Sequence, residues 1–485
     1  MNREKNLFKN TLILSIGNIC TKLITFFLLP LYTAVLSTEE YGIVDLLNTL
    51  VSLFLPIVTF QIEQAVFRSL LDVRENNDKK KELITTSFLT VIFQCIGYLF
   101  VFIFLSSFIH NDYKWFLLIN LLLYIFSSLF QQVARGVGDN TTYAISGFIS
   151  AIFTIIFNIL FIVSLNYGAY GMLAGTAIGQ MVCIIYIVLK LNLYKFIDYR
   201  YYNKKKLKEL WKYSVPLIPN SISWWIFNAS DRLIVTFFLG LSANGILAAA
   251  HKFSSVYITF YNVFHLSWLE NISVHIDDDD IEEYYNKMMN VATNFFIALA
   301  IGIIAFMPII YSIMIDSNYY EGYYQIPIIM VGSVFNVLVA LETVIYVAKK
   351  NTKAIASTSI VSAIINIISH LLLIRCLGLF AATLSTLLAY FIMFIYRYID
   401  IRKKYIKLKF NIKVLISSMV VLIIIIPIYY CGNVILQMVG MLISIIYAFF
   451  INKNSIDFIK RIIKRKIGEK VESDFFCCKK QKWWN

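Results

Sequence analysis

The chain has 485 residues, of which 59% are hydrophobic and only 15% charged, with a formal net charge of +14. Soluble proteins keep about a quarter of their residues charged, so this composition excludes a string of soluble domains. The 7 prolines and 19 glycines also exclude a disordered or collagen-like chain.

In chain order, apolar runs long enough to cross a bilayer fall at 10–36, 41–67, 83–108, 114–134, 143–166 and 170–189. Each crossing needs about 20 residues for a core of about 30 Å. Eight more runs follow at 213–240, 245–271, 288–315, 326–348, 355–374, 380–399, 414–431 and 434–451. The first run is too long for the apolar part of a signal peptide and contains Lys22, so it reads as a span and not a cleaved leader. The expected fold is therefore all-α, a polytopic membrane protein of about 14 transmembrane helices.

Lysine and arginine set the orientation. With the N-terminus inside, nearly all of the 43 basic residues fall in inner connections or the tail. Only Lys114 and Arg375 fall outside, and Lys22, Arg232 and Lys252 lie within spans. Both termini are expected in the cytoplasm. The net charge then reflects topology and attraction to anionic lipids, not nucleic-acid binding. In the tail, Ile456, Ile459, Ile463 and Ile467 recur at helical spacing among lysines and arginines, the pattern of an amphipathic helix on the membrane surface.

The connections give little scope for catalysis. Outer ones are short, the longest running from about Asp316 to Gln325, and offer only Asp112, Asp316 and Glu321 to a glycosyl-transfer enzyme. No Gly-Lys dipeptide is present, so there is no P-loop, and the five histidines (His110, His251, His265, His275, His370) form no His-Glu-x-x-His pair. The run Asp277 to Asp280 lacks the glycine of a calcium loop and reads as a solvated acidic face. Cys20, Cys95, Cys183, Cys376 and Cys431 read as small apolar core residues, and Cys477 and Cys478 in the basic tail receive no role. No enzyme activity, cofactor or metal is expected.

Two halves of the chain resemble each other. Ser37-Thr38-Glu39-Glu40-Tyr41-Gly42-Ile43 parallels Ser242-Ala243-Asn244-Gly245-Ile246, and Ser150-Ala151-Ile152 parallels Ser362-Ala363-Ile364. The expected layout is an N-terminal six-helix lobe (1–200), a C-terminal six-helix lobe (201–412), two added spans (413–452) and the basic tail (453–485), a transporter arrangement with its pathway between the lobes.

A charge at mid-bilayer costs roughly 2.5–3.5 kcal/mol on insertion scales, so it faces a cavity or a partner. Lys22 falls near the middle of the first span, Asp231 and Arg232 in the seventh, Lys252 in the eighth, Glu63 in the second and Glu342 in the tenth, with Asp45 nearer a helix end. Asp231 and Lys252, at similar depth on consecutive antiparallel spans, are expected to pair. Lys22 and Arg232 would then remain as cations facing a water-filled cavity. Pro30, Pro56, Pro216 and Pro219 add kinks to the same group of helices.

Leu7-Phe8-Lys9-Asn10-Thr11, Pro30-Leu31-Tyr32-Thr33, Leu36-Ser37-Thr38-Glu39-Glu40-Tyr41-Gly42 and Asn228-Ala229-Ser230-Asp231-Arg232-Leu233-Ile234 resemble Wzx-type oligosaccharide flippases. These belong to the multidrug/oligosaccharidyl-lipid/polysaccharide superfamily. The resemblance implies a bacterial inner-membrane transporter whose lateral openings are lined by spans one, two, seven and eight. It implies an undecaprenyl-diphosphate-linked oligosaccharide as substrate, turned from the cytoplasmic to the outer leaflet. Lys22, Arg232 and Lys252 become candidate substrate-binding cations, and Asp45, Glu63, Asp231 and Glu342 candidates for ion pairing or for a coupling proton or sodium ion. Membrane lipids, a polysaccharide polymerase and chain-length machinery are the implied partners. A cation-coupled multidrug antiporter, a lipid II flippase and a membrane glycosyl-transfer enzyme stand as alternatives.

Overall fold

The computed structural model describes residues 22–107, 112–453 and 456–457, and every regular element among them is helical. Cys20, His110, the tail beyond Asp457 and its Cys477 and Cys478 lie outside the described residues.

The first helix, α1 (Lys22–Val35), turns sharply into α2 (Thr38–Thr59). A capping box closes that turn: the Glu40 N–H donates to Ser37 Oγ at 3.2 Å, and the Ser37 N–H donates to the Glu40 carboxylate at 3.0 Å. α2 stops at Phe60 and Gln61, two successive residues with φ of 51° and 58°, before α3 (Ile62–Asp72) completes the same apolar run. Pro56 has already removed one ladder bond a turn earlier. The freed Thr59 carbonyl accepts from Gln94 Nε2 of α4 (Asn77–Ser106) at 3.1 Å.

α5 (Lys114–Val137), α6 (Asn140–Asn158, continued by a π turn at Ile159–Ser164) and α7 (Gly168–Lys190) follow. The pair α6–α7 packs closely because Gly171, Gly175 and Gly179 recur every fourth residue. A Cβ on the last two would collide with Asn158 and Thr154 of α6. Small residues take this place in membrane bundles, where lipid removes the hydrophobic drive between helices. The short amphipathic α8 (Lys204–Ser214), capped by Asn203, leads to α9 (Ile218–Leu239) and α10 (Leu241–His275). α11 (Ile281–Met314) connects through a 3₁₀ segment, Ser317–Gln325, to α12 (Ile326–Ala348). α13 (Thr352–Leu377), α14 (Leu379–Lys404), α15 (Ile412–Tyr430) and α16 (Val434–Ile451) complete the described chain. Because successive long helices alternate in direction, the α1–α2, α9–α10 and α11–α12 connections share one end of the bundle, the first end. α8 and the α10–α11 connection lie at the second.

Buried side chains form two apolar cores. One draws on residues 43–210 and the other mainly on 235–451. Leu29 and Tyr32 of α1, and Leu36 just after it, join the second core. Cys95 and Cys183 are buried as expected, whereas Cys376 and Cys431 are exposed on the bundle surface and are not core residues. Arg397, expected in a basic inner connection, is instead buried. Its guanidinium donates to the hydroxyls of Thr343, Thr358 and Ser359.

Among the described residues, 11 helices are long and apolar enough to cross a membrane, and the chain is a multi-pass membrane protein. α1, α9 and α10 fall outside those 11, so the sequence count of fourteen is not reached by this measure. α1 is described only from Lys22 and is apolar but short over that stretch, whereas α9 and α10 carry Asp231, Arg232 and a polar stripe that lower their hydropathy.

Candidate functional site

The stripe on α10 is His251, Ser255, Thr259 and Asn262, at spacings of four, four and three residues, which is one face of a helix. The opposite side of the same helix (Phe253, Tyr257, Tyr261) fills the second core. α12 turns Ser333 and Asn336 to the same space, and α14 turns Thr383, Thr386 and Tyr390. With Lys22 of α1 and Asp231 and Arg232 of α9 these line a cavity of about 310 Å³. Its walls offer hydroxyls, amides and charges.

Asp231 does not pair with Lys252. Its carboxylate accepts from Thr386 Oγ1 at 2.6 Å and lies 3.1 Å from Nδ1 of His370, a fully buried histidine on α13. Asn366 Nδ2 extends the chain to Thr386 at 3.5 Å. α9 lies closer to α13 and α14 at this depth than sequence neighbourhood suggests, and an imidazole supplies the partner that Lys252 was expected to be. Lys252 lies outside the cavity lining, half-buried within electrostatic range of Asp45, Arg232 and Lys22.

Arg232 is also not a solitary cation. Its Nε lies 3.2 Å from Asp45 Oδ2 of α2, and its Nη1 donates to Thr49 Oγ1 at 3.4 Å. Asp45 accepts as well from Asn244 Nδ2 of α10 at 3.5 Å. Arg232 still lines the cavity, as Lys22 does. Lys22 is exposed to that space, as the sequence requires of a mid-span lysine.

Glu63 and Glu342 lie away from the cavity. Both are buried; Glu63 Oε2 and both carboxylate oxygens of Glu342 have no hydrogen-bond partner among the described residues. Glu342 is within electrostatic range of Arg397.

At the first end the two segments that resemble each other in sequence meet. Thr38 Oγ1 and Ser242 Oγ are 2.6 Å apart, and Asn244 Nδ2 donates to the Gly42 carbonyl at 3.0 Å. The packing is reciprocal: a Cβ on Gly42 would overlap the Leu241 carbonyl, and a Cβ on Gly245 would overlap the Thr38 carbonyl. Tyr319 of the 3₁₀ segment locks the turn from the other side, donating to the carbonyls of Leu36 and Ser37 at 3.0 and 2.9 Å. Deeper along the same seam, Trp225 Nε1 of α9 donates to the Thr49 carbonyl at 3.0 Å, and Gln61 Nε2 donates to Ser221 Oγ at 2.7 Å.

The sequence reading missed His370, Thr386 and the α10 stripe. The stripe was visible as a four-residue polar period within an apolar run. His370 carried no local signal, because its meaning comes from a helix more than a hundred residues away.

Residues 7–268, more than half of the chain, match the family model described as polysaccharide biosynthesis protein. No curated protein matches the sequence. Among solved structures, the fold resembles the lipid II flippase MurJ in an inward closed conformation. That match has a TM-score of 0.68 and 18% identity, covering 92% of this chain and 100% of that one. It also resembles a multidrug resistance MATE family transporter of the MOP superfamily in an inward-facing conformation, with a TM-score of 0.66 and 10% identity, covering 80% and 98%. The outward-facing conformation of such a transporter scores 0.56 at 13% identity, covering 81% and 96%. These likenesses show that the chain shares its fold with those proteins.

Proposed function

We propose that this chain, which belongs to the polysaccharide biosynthesis protein family, flips an undecaprenyl-diphosphate-linked oligosaccharide from the cytoplasmic to the outer leaflet of the bacterial inner membrane by alternating access. The observation that carries the reading is the cavity itself, a polar chamber with Lys22 and Arg232 on its wall inside an otherwise apolar bundle. A diphosphate–sugar headgroup needs such a chamber, because its charge is expensive in lipid, while the polyprenyl tail stays in the acyl layer.

In this reading the chain has fourteen spans, with α1, α9 and α10 crossing as cavity walls. Its two six-helix lobes take residues 1–200 and 201–412, and both termini are cytoplasmic. The first end is then the outer side, sealed in this conformer, which agrees with the higher similarity to inward-facing than to outward-facing relatives. Asp231 with His370 and Thr386 seats the coupling proton or sodium ion. Its charge state would set how firmly α9 is held to α13 and α14. A polymerase and chain-length machinery would take the product on the outer face.

The second reading, a lipid II flippase, is favoured by the near-complete coverage of MurJ. Deletion of the gene separates the two. Loss of surface polysaccharide with build-up of lipid-linked repeat units and normal growth supports the proposal; arrest of cell-wall synthesis supports the alternative. Lys22→Ala should reproduce the polysaccharide loss at normal protein abundance, and normal export by that variant would remove the cation from the mechanism.

A further inference from the structure

The 3₁₀ segment Ser317–Gln325 carries four tyrosines, and its geometry arranges them. With three residues per turn, side chains at i and i+3 eclipse. One row, Tyr319, Gly322 and Gln325, is buried against the bundle. A second row places Tyr320 on Tyr323 with rings 5.2 Å apart and 14° from parallel, and Tyr323 lies on Tyr429 of α15 at 4.2 Å and 11°. The third row, Asn318, Glu321 and Tyr324, is exposed or half-exposed, and Tyr324 lies nearly parallel to Tyr430 at 6.1 Å and 16°. Two short columns of flat rings result, ending on the exposed Tyr320, Tyr324 and Tyr430.

Membrane-interface tyrosines ordinarily turn their hydroxyls to headgroups and water. Here three of the hydroxyls bond backbone carbonyls instead. Tyr323 Oη donates to the Tyr429 carbonyl at 2.9 Å, Tyr429 Oη to the Tyr323 carbonyl at 2.6 Å, and Tyr430 Oη to the Tyr324 carbonyl at 2.8 Å. What the columns leave exposed is part of the Tyr320, Tyr324 and Tyr430 rings, beside the exposed Glu321 and Asn318 of the third row. The electron-rich faces of aromatic rings attract weakly positive hydrogens. A pyranose offers an axial C–H face for the rings and hydroxyls for the carboxylate and amide. A polyprenyl tail would have no use for Glu321 or Asn318.

We propose that Tyr320, Tyr324 and Tyr430, with Glu321 and Asn318, form a saccharide-binding platform at the first end of the bundle. It rests on the reading above, in which that end is the outer side and the cargo carries an oligosaccharide. The platform adjoins the seal, since Tyr319 of the same segment holds the α1–α2 turn. It is therefore placed to take hold of sugars as the seal opens.

The test uses the full chain in lipid nanodiscs. The probe is the free oligosaccharide obtained by partial depolymerisation of the source cell's own surface polysaccharide. Saturation-transfer difference NMR should show transfer from the protein to sugar-ring C–H protons. In Tyr320→Leu with Tyr324→Leu the transfer should fall roughly tenfold. Tyr320→Phe should keep it, and Glu321→Gln should weaken it several-fold with the fold undisturbed. Tyr199→Leu, at an exposed tyrosine near the second end of the bundle, should leave it unchanged, which separates the platform from exposed tyrosine in general. Absent transfer in the native chain, or equal transfer in the Leu variant, overturns the platform. If export nonetheless depends on this chain, the flippase reading survives that failure. If the native chain is dispensable for export, the reading itself falls.

Discussion

Replacing Gly42 by alanine pits two effects of opposite sign against each other. Within an isolated helix the change is favourable by up to about 1 kcal/mol, because alanine loses less backbone entropy. In the folded protein the new Cβ would overlap the Leu241 carbonyl oxygen and lie 2.8 Å from its carbon and 3.0 Å from the Gly245 nitrogen, inside the 3.4 Å where ordinary contact begins. Those neighbours are backbone, so no rotamer change relieves the overlap, and α2 and α10 must part by roughly 1 Å. Over-packing of this kind costs about 1–3 kcal/mol. Loss of the Asn244-to-Gly42 and Thr38–Ser242 hydrogen bonds adds about 1 kcal/mol each where it occurs. The tertiary cost wins, and a net 1–3 kcal/mol shifts the equilibrium away from the sealed conformer by about 5- to 150-fold. Gly245→Ala should act alike through the Thr38 carbonyl. Combining the two should cost less than their sum, since one parting of the helices accommodates both. The assay is cross-linking between Thr38→Cys and Ser242→Cys in a chain whose seven native cysteines have been replaced. Both alanine variants should slow the cross-link at unchanged abundance. Equal rates in Gly42→Ala and the parent would show that the overlap is absorbed locally and that the glycines do not hold the seal.

Arg232→Ala should reduce abundance or export strongly, because breaking a buried or partly buried ion pair costs up to about 3–5 kcal/mol and leaves Asn244 as the hydrogen-bond donor to Asp45 among the described residues. A charge swap, Asp45→Arg with Arg232→Asp, should recover part of the loss, and strictly additive effects in a double-mutant cycle would dissolve the pair. Asp231→Ala and Lys252→Ala should be additive to within about 0.5 kcal/mol in thermal unfolding, since the two residues do not pair, whereas Asp231→Ala and His370→Ala should be clearly non-additive. For orientation, an impermeant thiol reagent applied to intact cells should label Arg375→Cys and spare Lys204→Cys and Lys403→Cys. Labelling at 204 would reverse the assigned sides.

Hydrophobic run length and the distribution of lysine and arginine are properties of the chain itself, because the bilayer acts on each segment separately. Helical class and multi-pass character were accordingly legible, and so was Lys22 as a cavity residue, since a mid-span ammonium has few other places to go. The likeness of the two glycine-containing turns was legible too, as a local pattern, whereas the capping box of Ser37 and Glu40 emerged only with the structure.

Partner choice was not. Asp231 and Lys252 look matched in depth, and Arg232 looks unpaired, as long as consecutive spans are imagined as neighbours. The folded bundle sets α9 against α13 and α14, handing Asp231 to His370 and Thr386, and sets it against α2, handing Arg232 to Asp45. The repeat likewise gave no sign that its two copies touch, yet Thr38 meets Ser242 and each glycine receives the other segment's carbonyl. Apolarity and charge asymmetry are summed along a segment and can be read one residue after another. An ion pair or a glycine contact depends on separations of a few ångströms between helices remote in the chain, and only the packing of the whole bundle decides those distances.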